Sequence, residues 1–466
     1  MQATLIRNAL VVDAEWTRKA DVLIEGSRVA HIATHMDSSL VPEGTKIVDA
    51  HGLYLLPGLI DAHTHYHLVS RGTVTCDSFP EGSRLAAFGG VTTVVDFADD
   101  DKKGNLAACT EARLKEMEGG MAIDYSLHQG VYAWRKTLGT EMEALAKRGV
   151  RALKMFTTYK NVGYLVDDPK ELRDVFANAK REEMMVCVHC EDEALLNEIQ
   201  STYQGSYNPP AHAVLRPSEV EARGIRTVGM IAHDLGMTLY VVHLSSKKGL
   251  EMVRYLRSIG TRVIVETTPT YLFLDRSLLE GADGSLFVMT PPLRDKEDNL
   301  ALQEALAGGE IQVVATDHCA FTRQQKLSSN DCRTVYPGIP GTEELLPLLH
   351  TRFVKEGKIT INQLVNLLST GPAKAFGLAP RKGRVEVGSD ADLVLFDPDK
   401  AWILSGKSLH SASGYTAYEG WKVEGKAVAV YRRGCLMVEG SEYYGVPGSG
   451  HFVPQGKPGQ VATILH

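Results

Sequence analysis

Between residues 58 and 318 the chain alternates short apolar runs with amphipathic stretches, and this rhythm limits the fold more than any other feature. The runs are "GLIDAHTH" (58–65), "VTTVVDFA" (91–98), "IDYSLHQGV" (123–131), "RALKMFTTY" (151–159), "MMVCVHC" (184–190), "LYVVHLS" (239–245), "RVIVETTP" (262–269) and "IQVVATDH" (311–318). Several are apolar almost throughout, as strands buried on both faces are. Helical patterns fill the gaps at 104–118, 139–148, 169–182, 217–235, 246–258 and 297–307. Eight strand–helix units over roughly 260 residues predict a (β/α)₈ barrel of the TIM type. An open doubly wound sheet is the alternative, but no G-x-G-x-x-G follows the first strand and no phosphate loop occurs elsewhere.

The flanks read differently. Residues 1–56 and the C-terminal stretch are short strands separated by turn residues. We expect a small β-sandwich built from 1–56 and 378–466, the latter with a C-terminal tail, around a barrel spanning 57–377. A long polar stretch, 319–341, follows the last barrel strand, and loops of that length tend to be functional.

Bulk properties remove several function classes. The net charge of -7 argues against a nucleic-acid footprint. No apolar run is long enough to span a bilayer. The N-terminal stretch lacks the pattern of a signal peptide. Seven scattered cysteines suit a reducing, cytoplasmic setting. Cys187 and Cys190 form a C-x-x-C, but residues three apart on a strand face opposite sides, so core packing is the expectation.

In a barrel of this type, chemistry collects at the C-terminal strand ends. Here those ends carry His63 and His65, Lys154 with Tyr159 five residues on, His189, His243 and Asp317 followed by His318. One histidine in such a place is usually a core residue. Four of them converging with a carboxylate point to a metal site, Zn²⁺ first, with Mn²⁺, Co²⁺ or Fe²⁺ as alternatives from ligand type. Lys154 fits this set poorly as an ammonium: it is neutral, or points elsewhere as a snorkelling strand lysine, or is modified by CO₂ to a carbamate.

These blocks resemble the cyclic amidohydrolases, the dihydropyrimidinase and D-hydantoinase branch, in order and over most of the chain. "PGLIDAHTH" is similar to the metal-binding first strand and "LKMFTTYK" to the segment with a carboxylated lysine. "VHCEDEALL", "VVHLSS", "ETTPTYLFLD", "VVATDHCAF" and the C-terminal "YTAYEGWKVEGKAVAVYRRG" follow in the same sequence. The resemblance implies that His63, His65 and Asp317 bind one metal and His189 and His243 a second, bridged by carboxylated Lys154 and a hydroxide. It implies that Asp317 shuttles the proton and Tyr159 steadies the oxyanion. Thr290 stands where the family has a substrate-contacting serine. The implied reaction opens the ring of a hydantoin or dihydropyrimidine to an N-carbamoyl amino acid, and the implied assembly is a homotetramer.

Two departures bear on ring specificity. His67 stands where many members of the resembled family carry an acidic residue, and Pro337 where many carry an asparagine whose backbone meets the substrate; proline offers no N–H there. His67 lies past the strand end and is left out of the metal set. Allantoinase or another cyclic-ureide amidohydrolase, a single-metal deaminase, and a non-enzymatic assembly protein like the collapsin response mediators are the competing readings. The last have lost metal ligands, whereas all six positions here carry competent side chains.

Overall fold

The computed structural model describes residues 2–166 and 168–459. Eight parallel strands follow one another in sequence order: β1 (Leu59–Asp61), β2 (Val91–Ala98), β3 (Asp124–Gly130), β4 (Ala152–Phe156), β5 (Met185–His189), β6 (Leu239–Val241), β7 (Val263–Thr267) and β8 (Val313–Val314). Each is hydrogen-bonded to the next in parallel register. The ring closes just beyond the ends of β1 and β8. There Thr64 and His318 form a parallel bridge, and the His65 N–H donates to the His318 carbonyl at 2.8 Å. Closure removes the sheet's edges, and the molecule is a (β/α)₈ barrel.

The six expected helices are present, each within two residues of its predicted limits: Leu106–Glu118, Leu138–Arg148, Pro169–Arg181, Ser218–Leu235, Lys247–Ser258 and Lys296–Ala307. Pro169–Arg181 illustrates the local logic. Asp168 caps it by accepting from the Lys170 and Glu171 N–H groups, and Pro169 takes the first turn, where no N–H is needed. Leu172, Val175, Phe176 and Ala179 then fall on one face and are buried. Truncating Phe176 to alanine removes the largest of these and costs about 3–5 kcal/mol.

Apolar side chains fill the barrel interior, among them Ile60, Val95, Ala152, Cys187, Tyr240 and Ile264. Strand period two then decides what stands above them. Lys154, His189 and Glu266 each lie two residues beyond an interior residue (Ala152, Cys187 and Ile264), so they point inward one layer higher, at the mouth.

The chain ends share one nine-stranded sheet. It contains Thr4–Val12, Thr17–Glu25, Arg28–Ala33, Lys46–Asp49 and Tyr54–Pro57 from the N-terminal side, and Leu393–Ile403, Lys422–Arg432, Cys435–Glu439 and Glu442–Tyr443 from the C-terminal side. Tyr54–Pro57 pairs antiparallel with Leu393–Phe396, joining the two halves. Only Gly58 separates that strand from β1. A Cβ at Gly58 would stand 2.1 Å from Thr92 Oγ1, so the close passage needs glycine. Lys382 welds sheet to barrel: its buried ammonium lies 2.5 Å from Asp124 of β3, 2.6 Å from Asp392 and 3.0 Å from Asp390. The tail returns along β3, where the Val453 N–H donates to Tyr125 O at 2.7 Å.

The sequence pattern overestimates the strands. The runs predicted through 65, 159, 245 and 318 leave the ladder at Asp61, Phe156, Val241 and Val314. The extra residues turn the chain into the mouth, and three of the site residues found there, Tyr159 (φ 67°), His243 (φ 38°) and Asp317 (φ 52°), adopt left-handed backbone. Non-glycine residues rarely do so, and such strain collects at functional sites. All seven cysteines are free; Cys187 and Cys190 are buried in the core as expected.

Candidate functional site

His63, His65 and Asp317 meet at the barrel mouth. Asp317 Oδ1 lies 3.2 Å from Nε2 of His63 and 3.2 Å from Nε2 of His65. Among the described residues these three form a group able to hold a metal ion, their ligand atoms all within 4.8 Å of one another. His189 and His243 form a second pair, Nδ1 to Nε2, at 3.0 Å. The rings of His63 and His243 are 5.5 Å apart, so the two groups are neighbours. Lys154, on β4, is buried near both groups, its field reaching His63, His189 and His243, and its Nζ lies 5.3 Å and 5.2 Å from the Phe97 and Phe156 ring centres.

The protonation states suit metal ligands. Burial, then the Lys154 charge, holds the His63 imidazole well below its usual range. Burial lowers His189 as well, and His243 further, with His189 itself contributing. Neutral imidazole is the form that coordinates. Burial would raise Asp317, but its neighbours His63, His65, which hydrogen-bonds it, and Lys154 outweigh burial and hold the carboxyl at about 2. Burial lowers the Lys154 pKa too, favouring the free amine.

Two buried glutamates behind the histidines orient them, Glu191 ionised and Glu266 pushed up to about 8 by burial. Glu266 Oε1 lies 2.8 Å from His63 Nδ1, and Glu191 Oε2 lies 2.7 Å from His189 Nε2. Each binds one ring nitrogen and turns the other towards the centre, the usual support for a metal-ligating histidine. Tyr240 and the His243 N–H donate to Glu266 at 2.8 and 3.1 Å, and Arg216 donates to Glu191. Buried nitrogens without a hydrogen-bond partner remain on His65 (Nδ1) and His243 (Nδ1). A buried polar atom left this way asks for a ligand. Those two nitrogens lie on the far side of their rings, and it is the convergent donors, Nε2 of His63, His65 and His243, Nδ1 of His189 and Oδ1 of Asp317, that fit a divalent metal.

A cavity of about 290 Å³ opens beside the mouth, and Tyr159, Thr290 and Pro337 line it. The Tyr159 ring is 5.3 Å from that of His189. Burial pushes its phenol up to about 12 against the opposing Arg216 charge, so the hydroxyl keeps its proton. His212 Nε2 contacts Met289 O at 2.9 Å and Thr290 Oγ1 at 3.2 Å. Lys326 is fully buried and donates to the carbonyls of Val288 (2.6 Å), Tyr336 (2.8 Å) and Gly338 (3.0 Å), tying together the segments that carry Thr290 and Pro337. His67 stands apart from the metal cluster: it is exposed, its ring rests 5.5 Å from Phe79, and its N–H donates to Asp77 O.

The sequence pattern does not assign Glu191, Glu266, Arg216, His212 or Lys326. Glu266, at the end of "VIVET", carried a weak signal as a carboxylate on a strand otherwise apolar. Lys326 carried none, because nothing in "RQQKLSS" separates a buried lysine from a solvated one.

Residues 54–437 match the model of the Amidohydrolase family. The chain is 36% identical to a D-hydantoinase of Geobacillus stearothermophilus over 98% of its own length and 97% of that protein. It is 34% identical to a dihydropyrimidinase of Dictyostelium discoideum, over 97% of this chain and 90% of that one. The crystal structure of a dihydropyrimidinase from Brevibacillus agri superposes with a TM-score of 0.94 at 36% identity, covering 98% of this chain and 99% of that chain.

Proposed function

The chain belongs to the amidohydrolase family, and from that premise we propose that it opens the cyclic amide of hydantoins or dihydropyrimidines, releasing N-carbamoyl amino acids. The observation that carries this reading is the meeting of two donor sets, His63–His65–Asp317 and His189–His243, around a buried lysine at one barrel mouth. A non-enzymatic assembly protein has no use for such a constellation, and a single-metal deaminase leaves Lys154 without a role.

His63, His65 and Asp317 would hold one divalent ion and His189 and His243 another, with carboxylated Lys154 between them; Zn²⁺ suits the ligands best, with Mn²⁺, Co²⁺ or Fe²⁺ as alternatives. When bound, such ions make water nucleophilic near neutral pH and polarise a carbonyl. Lys154 is suited to carboxylation because burial favours its neutral amine, whose nitrogen adds to CO₂ and loses a proton to leave the carbamate.

Asp317, ionised, has one oxygen committed beside His63 and His65. Its other oxygen accepts the proton of the attacking water and returns it to the ring nitrogen as the C–N bond breaks. That return is needed because an unprotonated amide nitrogen leaves poorly. Tyr159 donates its hydroxyl hydrogen to the carbonyl oxygen as charge develops there, a contribution of about 3 kcal/mol for a well-placed donor. The backbone at Thr290 and Pro337 meets the ring, with Pro337 supplying only a carbonyl.

No helix among the described residues is long and apolar enough to cross a membrane. A cytoplasmic homotetramer is part of the same proposal, and sedimentation of the purified protein tests the assembly. The chemistry is tested by a turnover panel of dihydrouracil, hydantoin, D- and L-5-substituted hydantoins and allantoin, run on metal-replete protein. Opening of hydantoin or dihydrouracil to the carbamoyl acid is expected. Turnover of allantoin alone moves the assignment to allantoinase, and metal-replete protein that opens none of these rings refutes the proposal.

A further inference from the structure

The cavity beside the mouth has a charge pattern that the ring-opening reaction does not require. Beyond Tyr159, Thr290 and Pro337 its lining carries three guanidinium groups, Arg71, Arg216 and Arg333, and a single carboxylate, Glu193. Two of the three cations are already paired. Arg216 is bound to Glu191, and Arg333 lies 2.5 Å from Asp331. Glu193 accepts from Thr158 Oγ1 at 2.7 Å and from Asn197 at 3.5 Å. Arg71 makes no ion pair or hydrogen bond among the described residues.

The backbone at Arg71 is held in place. It occupies, with Gly72, the two-residue turn of a hairpin formed by Val69–Ser70 and Thr73–Val74. Both turn residues have positive φ, 48° and 78°, the pattern of a type I′ turn. Arginine is an unusual choice for the first of these positions, where asparagine, aspartate or glycine fits more easily. Gln325 fastens the hairpin from the loop after β8, donating to Thr73 Oγ1 at 2.9 Å and to Val74 O at 3.3 Å. The fixed turn hangs an exposed guanidinium without an ion-pair partner at the cavity's edge, and the Arg71 charge reaches both Tyr159 and His212.

We propose that this cavity is an anion-accepting subsite: it takes a carboxylate carried on a short arm from the substrate ring, with Arg71 as its counter-ion. This rests on the ring-opening reading above. The preferred substrates are then cyclic ureides with an acidic side chain, and the products are N-carbamoyl derivatives of acidic amino acids.

The test compares 5-(carboxymethyl)hydantoin with its carboxamide, nearly the same size but uncharged, on metal-replete wild type and Arg71→Gln. The wild type is expected to favour the acid by about tenfold in kcat/KM, the scale of one charge-assisted hydrogen bond. That preference shrinks as salt rises and disappears in Arg71→Gln. Equal kcat/KM for acid and amide in the wild type, or a preference that survives in Arg71→Gln, overturns the proposal. Unsubstituted hydantoin, which has nothing to place in the cavity, reports separately on the ring-opening reading. Should no ring open, calorimetric titration of both compounds decides the subsite. Acid-selective binding lost in Arg71→Gln supports it, and equal binding refutes it.

Discussion

Nε2 of His189 lies 2.7 Å from Oε2 of Glu191, and both side chains are almost sealed from water. The contact fixes which imidazole nitrogen is free: Nδ1 faces His243. Arg216 holds the carboxylate, keeping its pKa at about 2 despite burial, so the imidazole always has an anionic acceptor behind it. Replacing Glu191 with glutamine leaves the shape but removes the charge and half of the acceptor capacity. Metal affinity is expected to fall about 10- to 100-fold, read by competition with a chelator. Unaltered metal retention in Glu191→Gln contradicts this role.

Lys154→Ala removes the buried lysine beside both donor sets. The variant is expected to lose most of its metal and nearly all turnover. Elemental analysis beside a hydantoin assay checks both, and a Lys154→Ala protein with full metal and full rate sinks the binuclear reading. If the lysine is carboxylated, apo-protein reconstituted in CO₂-free buffer should recover activity better when bicarbonate accompanies the metal.

Lys326→Met keeps the volume of a buried side chain and deletes three donors. The carbonyls of Val288, Tyr336 and Gly338 lose their partner together. At about 1 kcal/mol for each bond, the loss in stability approaches about 3 kcal/mol. Because these carbonyls flank Thr290 and Pro337, KM should rise more than kcat falls. Denaturant unfolding gives the first number and steady-state kinetics the second; a stability loss with unchanged KM would leave Lys326 a purely architectural residue.

Glu141 offers a test of pH dependence away from the metal site. Burial would raise its pKa, but hydrogen bonds from Arg135, Thr137 and the Leu106 N–H bring it down to about 2. The unfolded value is about 4.3. A carboxylate depressed on folding contributes stability that is complete above the unfolded pKa and is lost as pH falls through the folded one. The gap in unfolding midpoint between wild type and Glu141→Gln should therefore be widest above about pH 5 and close between about pH 4.3 and 2. A gap that stays constant through that window shows that charge is not what Glu141 contributes.

The sequence by itself determined the barrel and the identity of its mouth. Apolar runs of strand length alternating with capped, one-faced helices have few ways to bury themselves, and period two fixes that Lys154 and His189 point inward if Ala152 and Cys187 do. What it left open depends on partners distant along the chain. Glu266 reaches His63 across 203 positions, and Lys326 is sealed in the core of a loop that reads as polar. The strands end at Val241 and Val314, short of the apolar runs, because the residues beyond turn into the mouth, His243 and Asp317 in left-handed backbone that the period-two pattern does not register. Arg71 looks like any surface arginine in "LVSRGTV". Only the folded hairpin, pinned by Gln325, sets it at the edge of a cavity whose one lining carboxylate, Glu193, is hydrogen-bonded to Thr158 and Asn197, because burial and ion pairing are properties of space rather than of sequence order.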